Sequence, residues 1–364
     1  MQGVVVIFFI LSFASFCSCN RQLEAYTSKT IFNVMDYGAV GDGFTDDSEA
    51  FLKAWDKACS TSDGNETLEV PRGKTFLLKP LNFTGPCKCS SIHFKLEGNL
   101  VAPNSTDAWE GLSRLKWIQF MNIDGLIFNG GGQIDGRGSA LKFIKCNYLQ
   151  IRDTHHVNSA KGHITINNCN HTTIFNLTVT APEDSPNTDG FDISGSNYVT
   201  LEHTTIGTGD DCIAINGGTS NINITNMICG PGHGISIGSL GKNGAYETVE
   251  NVYVGHSNIN GTTNGLRIKT WEGGRGYGPG IEITGVTYNE VHGTSNTKVA
   301  INLGCSQSKG CNEMLMDTVN LTASDTLGTT KTISTCENAK GKAKSVSPEV
   351  SCLIILDTRT PPVF

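Results

Sequence analysis

Short runs in which apolar residues alternate with polar or small ones recur along most of the chain. Because successive side chains of a strand point to opposite faces, this alternation predicts strands with one buried face. Stretches rich in Gly, Asn and Thr separate the runs and favour turns. The strands predicted in this way cover residues 76–78, 92–96, 117–120, 126–128, 149–151, 163–166, 173–175, 199–201, 222–224, 252–254, 281–283, 299–303 and 314–319.

One segment, residues 46 to about 59, has a helical pattern instead. Asp46 and Glu49 have the spacing of a capping box at its start. We expect an amphipathic helix here that covers the first turn of the strand structure, with Trp55 in the core. The apolar stripe of this helix consists of Ala50, Phe51, Ala54, Trp55 and Ala58.

Four polar clusters each adjoin another alternating run. Successive clusters lie 21, 22 and 34 residues apart, counted between their charged side chains. These steps are too long for hairpins and have the size of successive coils of a parallel solenoid. Coils stack about 4.8 Å apart, so the clusters are predicted to form a ladder on one sheet. The clusters are NTDG at 187–190, GDD at 209–211, GHG at 232–234 and RIK at 267–269.

The residue types in this ladder suit acid–base chemistry on a sugar. Inverting cleavage of a glycosidic bond needs one carboxyl that donates a proton and one carboxylate that activates water. Asp210 and Asp211 both reach one groove only if they lie on a bend, which Gly209 favours. Crowding among Asp189, Asp210 and Asp211 is expected to raise one pKa and keep an acid protonated.

Basic residues complete the predicted groove. His233 is one coil beyond the aspartate pair and is placed to share a proton with it. Arg267 and Lys269 are two residues apart on one strand face, where they can bind a carboxylate of the substrate. Two aspartates and a histidine also fit a metal site, but the two cations oppose it. Taken singly, each aspartate is more simply a turn former.

The four clusters, in this order and spacing, resemble the polygalacturonases of glycoside hydrolase family 28. The segment FNVMDYGAVGDGFTDDSEAFLKAWDKAC at 32–59 also resembles the plant members, and GHGISIGSLG and RIKTW resemble their pollen exo-acting branch. The resemblance implies an all-β, single-stranded, right-handed parallel β-helix of the pectin-lyase-like type. It also implies a hydrolase that cleaves α-1,4-galacturonan in pectin and that needs neither a metal nor an organic cofactor.

The resemblance assigns roles to individual positions. Asp210 matches the general acid, and Asp189 and Asp211 match the pair that activates water. His233 matches the assisting histidine. The substrate-binding residues are expected to be Arg267 and Lys269, which match carboxylate ligands, together with Asn187 of the first cluster.

The chain departs from the family pattern in two interior places. After GGGQIDGRG at 130–138, which we interpret as a tight solenoid turn, a longer segment with a tryptophan and cysteines is absent. After RIKTW, residues 281–305 resemble the second coil that follows in the family. One coil, with a tyrosine that borders the groove, is therefore expected to be missing. In the loop 271–280, Trp271 and Tyr277 are candidates for stacking on sugar rings, although most exposed aromatic residues have no such role.

The termini and the composition indicate a secreted protein. Residues 1–19 have the short apolar run of a signal peptide, and no later run is long enough to span a membrane. With 42 glycines and 17% charged residues, the chain suits many turns and short strands. We expect one β-helix domain over residues 20–352, a solvated turn at the lysine-rich residues 340–344, and an atypical tail at 353–364.

The net charge of −7 excludes a simple electrostatic mode of binding to polyanions. Attraction of an anionic substrate must therefore be local, through Arg267, Lys269 and Lys242. The same charge argues against nucleic acid as a partner. We expect a monomer that contacts pectin in the cell wall and has no membrane partner.

Eleven cysteines remain after the signal peptide, and most should pair in an oxidising compartment. The family resemblance implies the pairs Cys212–Cys229, Cys305–Cys311 and Cys336–Cys352, and Cys59–Cys87 is a further candidate. An odd count leaves at least one thiol unpaired within the chain.

Three alternatives to an exo-acting polygalacturonase remain open at this point. The first is endo action on the same polymer. The second is a pectate lyase, which shares the solenoid but eliminates with calcium and an arginine base. The third is a pectin-binding wall glycoprotein with impaired turnover.

Overall fold

The computed structural model describes residues 30–62, 64–105, 107–111, 113–159, 161–271, 281–324 and 331–356. Its one α-helix, α1, spans Ser48–Ser60, and short 3₁₀ turns occupy Val34–Tyr37, Asp107–Trp109, Arg114–Lys116 and Lys242–Gly244 within these ranges. The first strands are β1 Ile31–Asn33, β2 Asp42–Asp46, β3 Asn65–Val70, β4 Thr75–Leu77, β5 Leu81–Thr84, β6 Ser91–Leu96, β7 Asn99–Val101, β8 Ile118–Met121 and β9 Leu126–Asn129. Next come β10 Gln133–Asp135, β11 Leu141–Ile144, β12 Gln150–Arg152, β13 His155–Val157, β14 Ile164–Asn167, β15 Asn170–Phe175, β16 Thr178–Thr180, β17 Phe191–Ser194 and β18 Asn197–Glu202. The solenoid then continues with β19 Thr205–Gly207, β20 Ile213–Ile215, β21 Thr219–Thr225, β22 Ile228–Cys229, β23 Ile235–Leu240, β24 Val249–Gly255, β25 Asn258–Ile259 and β26 Leu266–Thr270. The remaining strands are β27 Ile283–Thr284, β28 Thr287–Ser295, β29 Val299–Gly304, β30 Cys311–Ala323, β31 Ile333–Glu337, β32 Ala339–Ser347 and β33 Ile354–Ile355.

Three parallel sheets wind together as a β-helix, as the sequence predicted. Two of them have nine strands and run from β1 to β24 and from β2 to β25, and the third has eight strands and runs from β5 to β26. Each coil adds one strand to each sheet, so a residue pairs with its equivalent one coil later. Ile213, for example, pairs with Ile235. We call the eight-stranded sheet the groove sheet, because it carries the polar clusters.

The register of neighbouring strands places identical side chains on top of one another in the core. Phe83, Phe120 and Phe143 occupy equivalent positions of three successive groove-sheet strands. Their ring centroids are 4.8 and 5.2 Å apart in stacked pairs. Because backbone hydrogen bonds fix the distance between coils, alternation in sequence becomes a continuous column of buried rings.

Helix α1 covers the first coil as expected, and every residue of its predicted apolar stripe is buried. Trp55 packs 5.1 Å from Phe83, between ring centroids. The predicted capping box was wrong. Asp47 is the N-cap residue, and its buried carboxylate accepts hydrogen bonds from the backbone N–H groups of residues 40 and 41 instead of capping the helix. Glu49 forms an ion pair with Lys53 one turn later.

Every strand predicted from alternation overlaps a strand of the structure. The prediction for the glycine-rich segment 130–138 was only partly right. Its ends turn through glycines with positive φ, at Gly131 and Gly138. Its middle is strand β10 of the second sheet. The glycines on both sides of this three-residue strand hid its alternation in the sequence.

The lysine-rich residues 340–344 are not a turn, which corrects the prediction. They belong to strand β32, which pairs with β30. Lysine side chains alternate there with small residues that face the core, so the pattern is that of a half-buried strand. The tail begins in the same region, where Leu353 is buried and β33 pairs with β32. Residues 357–364, the signal peptide and Tyr277 lie outside the described residues.

The backbone ladder is interrupted after β26. None of the described strands from β27 onward pairs with β24, β25 or β26, and they form separate five-stranded and two-stranded sheets. The buried apolar residues accordingly form two clusters, one up to Ile235 and one from Ile301. The interruption lies where the sequence predicted a missing coil.

All four expected disulfides are present: Cys59–Cys87, Cys212–Cys229, Cys305–Cys311 and Cys336–Cys352. Cys89, Cys146 and Cys169 are buried free thiols. Among the residues that the structure covers, no helix is long and apolar enough to cross a bilayer.

Candidate active site

The outer face of the groove sheet forms a row of residues that pair in register. The row changes from neutral amides at the N-terminal end to charged groups in the middle and a guanidinium at the last strand. It reads Asn82, Gln119, Lys142, Thr165, Asp192, Ala214, Ser236 and Arg267. This row is the floor of a groove, and the turns that precede β17, β20 and β23 form its rim.

Asp210 and Asp211 lie on a bend that enters β20, as predicted. A Cβ at Gly209 would collide with the backbone carbonyl of Ser185, so only glycine allows the two turns to approach this closely. Backbone hydrogen bonds stack this bend between its neighbours: Gly190 donates to Asp211, and His233 donates to Asp210. Three clusters distant in sequence therefore meet on one rim.

Asp211 is almost completely buried, at 2% exposure, and is surrounded by donors. Its Oδ1 accepts hydrogen bonds from Arg267 Nη2 and Ser236 Oγ, both at 2.7 Å. Its Oδ2 lies 2.7 Å from Lys269 Nζ. Two cations thus compensate the cost of burying this carboxylate. Ser236 also accepts a hydrogen bond from Arg267 Nε at 3.1 Å, which fixes the guanidinium plane.

Asp210 contacts the histidine of the next coil. His233 Nδ1 lies 2.8 Å from Asp210 Oδ1, and both side chains are partly exposed to the groove. The same oxygen accepts a hydrogen bond from the Asp211 backbone N–H at 2.8 Å. Asp210 is therefore oriented by two donors, and one proton can be exchanged between carboxyl and imidazole.

Asp189 and Asp192 form the acidic side of the groove. Burial raises the pKa of Asp189 to about 8, and repulsion from Asp192, Asp210 and Asp211 adds to the shift. Burial also raises the pKa of Asp192. The sequence predicted that crowding raises the pKa of one carboxyl, whereas in the structure the pKa is raised at both Asp189 and Asp192, and burial is the larger cause.

A groove of about 560 Å³ opens on this side of the cluster. Asp189, Asp192 and the exposed Asn187 line it, together with Lys142 and Lys161. Burial lowers the pKa of Lys142, while the charge of Asp192 opposes this shift. The groove thus carries both signs of charge along its length.

A buried histidine holds the backbone beneath Asp189. His163 donates its backbone N–H to the Asp189 carbonyl oxygen at 2.7 Å. Its Nδ1 lies 3.1 Å from the same oxygen, and its Nε2 accepts the Ser159 N–H. These partners require a neutral ring with the proton on Nδ1, and burial lowers the pKa of His163 accordingly.

The donor set of Asp210, Asp211 and His233 has the composition of a metal site, since their ligand atoms lie within 4.8 Å of one another. Arg267 and Lys269 occupy both oxygens of Asp211, however. A metal ion would have to displace two cations, which makes this arrangement a poor cation site.

Comparison with known proteins identifies the family of the chain. The profile of "Glycosyl hydrolases family 28" matches residues 59–281 and 278–352. The chain belongs to glycoside hydrolase family 28. A "Probable polygalacturonase" of Arabidopsis thaliana is 40% identical, over 91% of this chain and 82% of its own length. The "Exopolygalacturonase" of Zea mays is 35% identical, over 88% of this chain and 90% of its own.

Among solved structures, the endo-xylogalacturonan hydrolase from Aspergillus tubingensis is 25% identical and superposes with a TM-score of 0.70. The match covers 91% of this chain and 96% of that chain. The chain thus has the same overall fold as this hydrolase despite the interrupted ladder.

The structure brings most of the predicted site residues together. Asp210, Asp211, His233, Arg267 and Lys269 are in direct contact. Asp189 and Asn187 lie beside this group of contacting residues and line the adjoining groove.

Sequence reasoning missed four residues of the candidate site: Lys142, His163, Asp192 and Ser236. Asp192 and Ser236 occupy the outward positions of two alternating runs that the sequence already identified as strands. That alternation was the available signal for both. Lys142 could have been found in the same way, but no pattern marked the buried His163.

Proposed function

We propose that this protein hydrolyses α-1,4-galacturonosyl linkages of polygalacturonan, with inversion at the anomeric carbon. The observation that carries the proposal is the contact network of Asp210, Asp211 and His233 with two cations, on the groove sheet of a family 28 β-helix. The network supplies a proton donor, a water-activating carboxylate and charges for an anionic sugar within one cleft.

Asp210 is the proposed general acid. It gives its proton to the glycosidic oxygen as the bond to the anomeric carbon breaks, and the leaving sugar departs as an alcohol. The 2.8 Å contact with His233 supports this role, because a protonated imidazole can return a proton to the carboxylate for the next cycle.

Water attacks the anomeric carbon from the opposite face and loses its proton to a carboxylate. Asp211 is the proposed acceptor, and Asp189 orients the water. The raised pKa of Asp189 supports this division, because an Asp189 that is still protonated cannot itself take up the proton of the water. The proton gained by Asp211 balances the one lost by Asp210.

Arg267 and Lys269 are the proposed ligands of a galacturonate carboxylate. Each is about one quarter exposed although it contacts Asp211. A substrate carboxylate can therefore share these cations with Asp211, and a neutral methyl ester cannot compete in this way. This feature favours free polygalacturonate over esterified pectin.

Exo action, secretion to the cell wall and a monomeric state complete the proposal. The similarity to the maize "Exopolygalacturonase" supports exo action, and the four disulfides support an oxidising extracellular compartment.

A defined hexagalacturonide tests the proposal. Mass spectrometry should detect release of monogalacturonate and a pentamer first, and proton NMR should show the β-anomer in the first-formed product. A spread of intermediate products from the start identifies endo action. An initial α-anomer refutes inversion.

The same assay separates the two other functions. A pectate lyase produces an absorbing 4,5-unsaturated end and loses activity on addition of a chelator. A wall-binding protein without turnover binds the hexamer but releases no reducing ends. Hydrolysis products without unsaturation exclude both.

A further inference from the structure

Trp271 continues the strand that carries the two substrate-binding cations. Its backbone N–H donates to the Leu240 carbonyl oxygen at 2.8 Å, so the ladder with β23 extends past the last residue of β26. Arg267 and Lys269 both face the groove, because both contact Asp211. Alternation along an extended chain therefore places Trp271 on the same face, about 7 Å beyond Lys269.

The indole of Trp271 is available to a ligand. It is 50% exposed, whereas Trp55, Trp109 and Trp117 are at most 5% exposed. Because β26 is the last strand of the groove sheet, no further described strand covers the indole from that side. The indole therefore presents a large, rigid apolar face on which a sugar ring can pack.

A third cation accompanies the ring. Lys242 lies on the turn after β23, and its Nζ is 5.6 Å from the Trp271 ring centroid. The turn is held by a hydrogen bond from the Gly241 N–H to Glu247 Oε2 at 2.8 Å. A lysine in this position stacks weakly on the indole and keeps its charge accessible.

We propose that Trp271 and Lys242 form a uronate-binding platform at the rim of the groove. The indole packs against the C–H face of the pyranose ring, and the Lys242 ammonium pairs with a carboxylate of the oligomer. The platform rests on the proposed function, since it takes the same anionic sugar whose carboxylate reaches Arg267 and Lys269. The Trp271 indole binds the sugar ring, whereas Arg267 and Lys269 on the same strand bind a carboxylate.

Binding of trigalacturonate to the Asp210→Asn protein tests the platform without turnover. Trp271 is the exposed tryptophan among the chain's four, so binding should protect its fluorescence from iodide quenching. Calorimetry should show that Trp271→Ala raises Kd about tenfold in this background, and that Trp271→Phe recovers most of the affinity.

Two further variants make the test specific. Tyr253→Ala is the matched control, because Tyr253 is 53% exposed but lies on β24 of a different sheet, and it should leave Kd unchanged. Lys242→Gln should raise Kd about fivefold for trigalacturonate and leave Kd for its methyl ester nearly unchanged.

These experiments distinguish a failure of the platform from a failure of the proposed function. If trigalacturonate binds equally well to the Asp210→Asn and Asp210→Asn/Trp271→Ala proteins, the platform is wrong and the proposed function stands. If the Asp210→Asn protein does not bind trigalacturonate at all, the proposed function is wrong and the platform falls with it.

Discussion

Lys269 Nζ lies 2.7 Å from Asp211 Oδ2, although the two residues are 58 positions apart in the chain. The ammonium belongs to the last strand of the groove sheet and the carboxylate to a bend two coils earlier. The pair therefore couples the proposed recognition of the substrate carboxylate to the residue proposed to activate water.

Replacement of Lys269 by Ala should raise KM for polygalacturonate roughly ten- to hundredfold, because it removes a charge-assisted hydrogen bond worth about 1.5–3 kcal/mol. Arg267→Ala should have a similar effect. Initial rates over a range of substrate concentrations measure the change, with thermal unfolding as a check on folding. Both losses should be much smaller for a fully methyl-esterified substrate, and an equal loss contradicts the assigned role.

Replacement of Asp210 by Asn should lower kcat by several orders of magnitude with little change in affinity. Asparagine has nearly the same shape but cannot donate the carboxyl proton. His233→Ala should lower kcat less, since it removes the partner and leaves the acid. Single-turnover rates on a defined oligomer measure both. A near-native kcat in the Asp210→Asn protein excludes Asp210 as the acid.

Replacement of Asp189 by Asn should stabilise the protein at pH 7.5 and have little effect at pH 4. Burial raises the pKa of Asp189 to about 8, so the folded state holds this proton more tightly than the unfolded state. Its contribution to stability is complete below the ordinary pKa of an aspartate and is lost as pH rises toward 8. Asparagine has no such proton to lose.

Thermal unfolding from pH 4 to 8.5 measures this effect. The Tm of the parent should fall with pH more steeply than that of the Asp189→Asn protein, and the variant should be several degrees more stable at the alkaline end. Parallel curves for the two proteins contradict the raised pKa.

Insertion of one coil between Trp271 and Ile281 should raise both Tm and kcat/KM. No strand among the described residues pairs with the outer edge of β24, β25 or β26, and the buried apolar residues form two clusters. A coil that pairs with these edges joins the two clusters and buries the half-exposed Val252 and Val254. A coil ending in Tyr-Cys also adds an aromatic wall beside Arg267 and Lys269.

The same insertion with Phe in place of that tyrosine is the control for folding. If the Tyr-ending protein gains stability but its kcat/KM stays at the level of the parent, the missing coil has no cost in activity.

The strand periodicity and the spacing of the polar clusters were readable from the sequence, and three of the four cysteine pairs were implied by the family resemblance. In a parallel solenoid the repeat in sequence is the repeat in space, so Asp211 and His233, 22 residues apart, had to fall on neighbouring coils. The same rule placed Arg267 and Lys269 on one face of one strand. Helix α1 was predicted because its apolar stripe is long. Its N-cap residue was not predicted, because the Asp47 carboxylate bonds to the preceding turn rather than to the helix.

Only the tertiary structure decided which of these charged residues are partners. Alternation shows which face a side chain occupies, but not that Asp211 is buried beneath both cations while Asp210 contacts His233. It also could not show that Asp189 is a carboxyl with a raised pKa, since burial depends on neighbours from several coils. The sequence by itself therefore determined the coil, the sheet and the residue types of the site. The protonation pattern and the pairing of charges were decided by packing between coils, because both depend on desolvation and distance rather than on order along the chain.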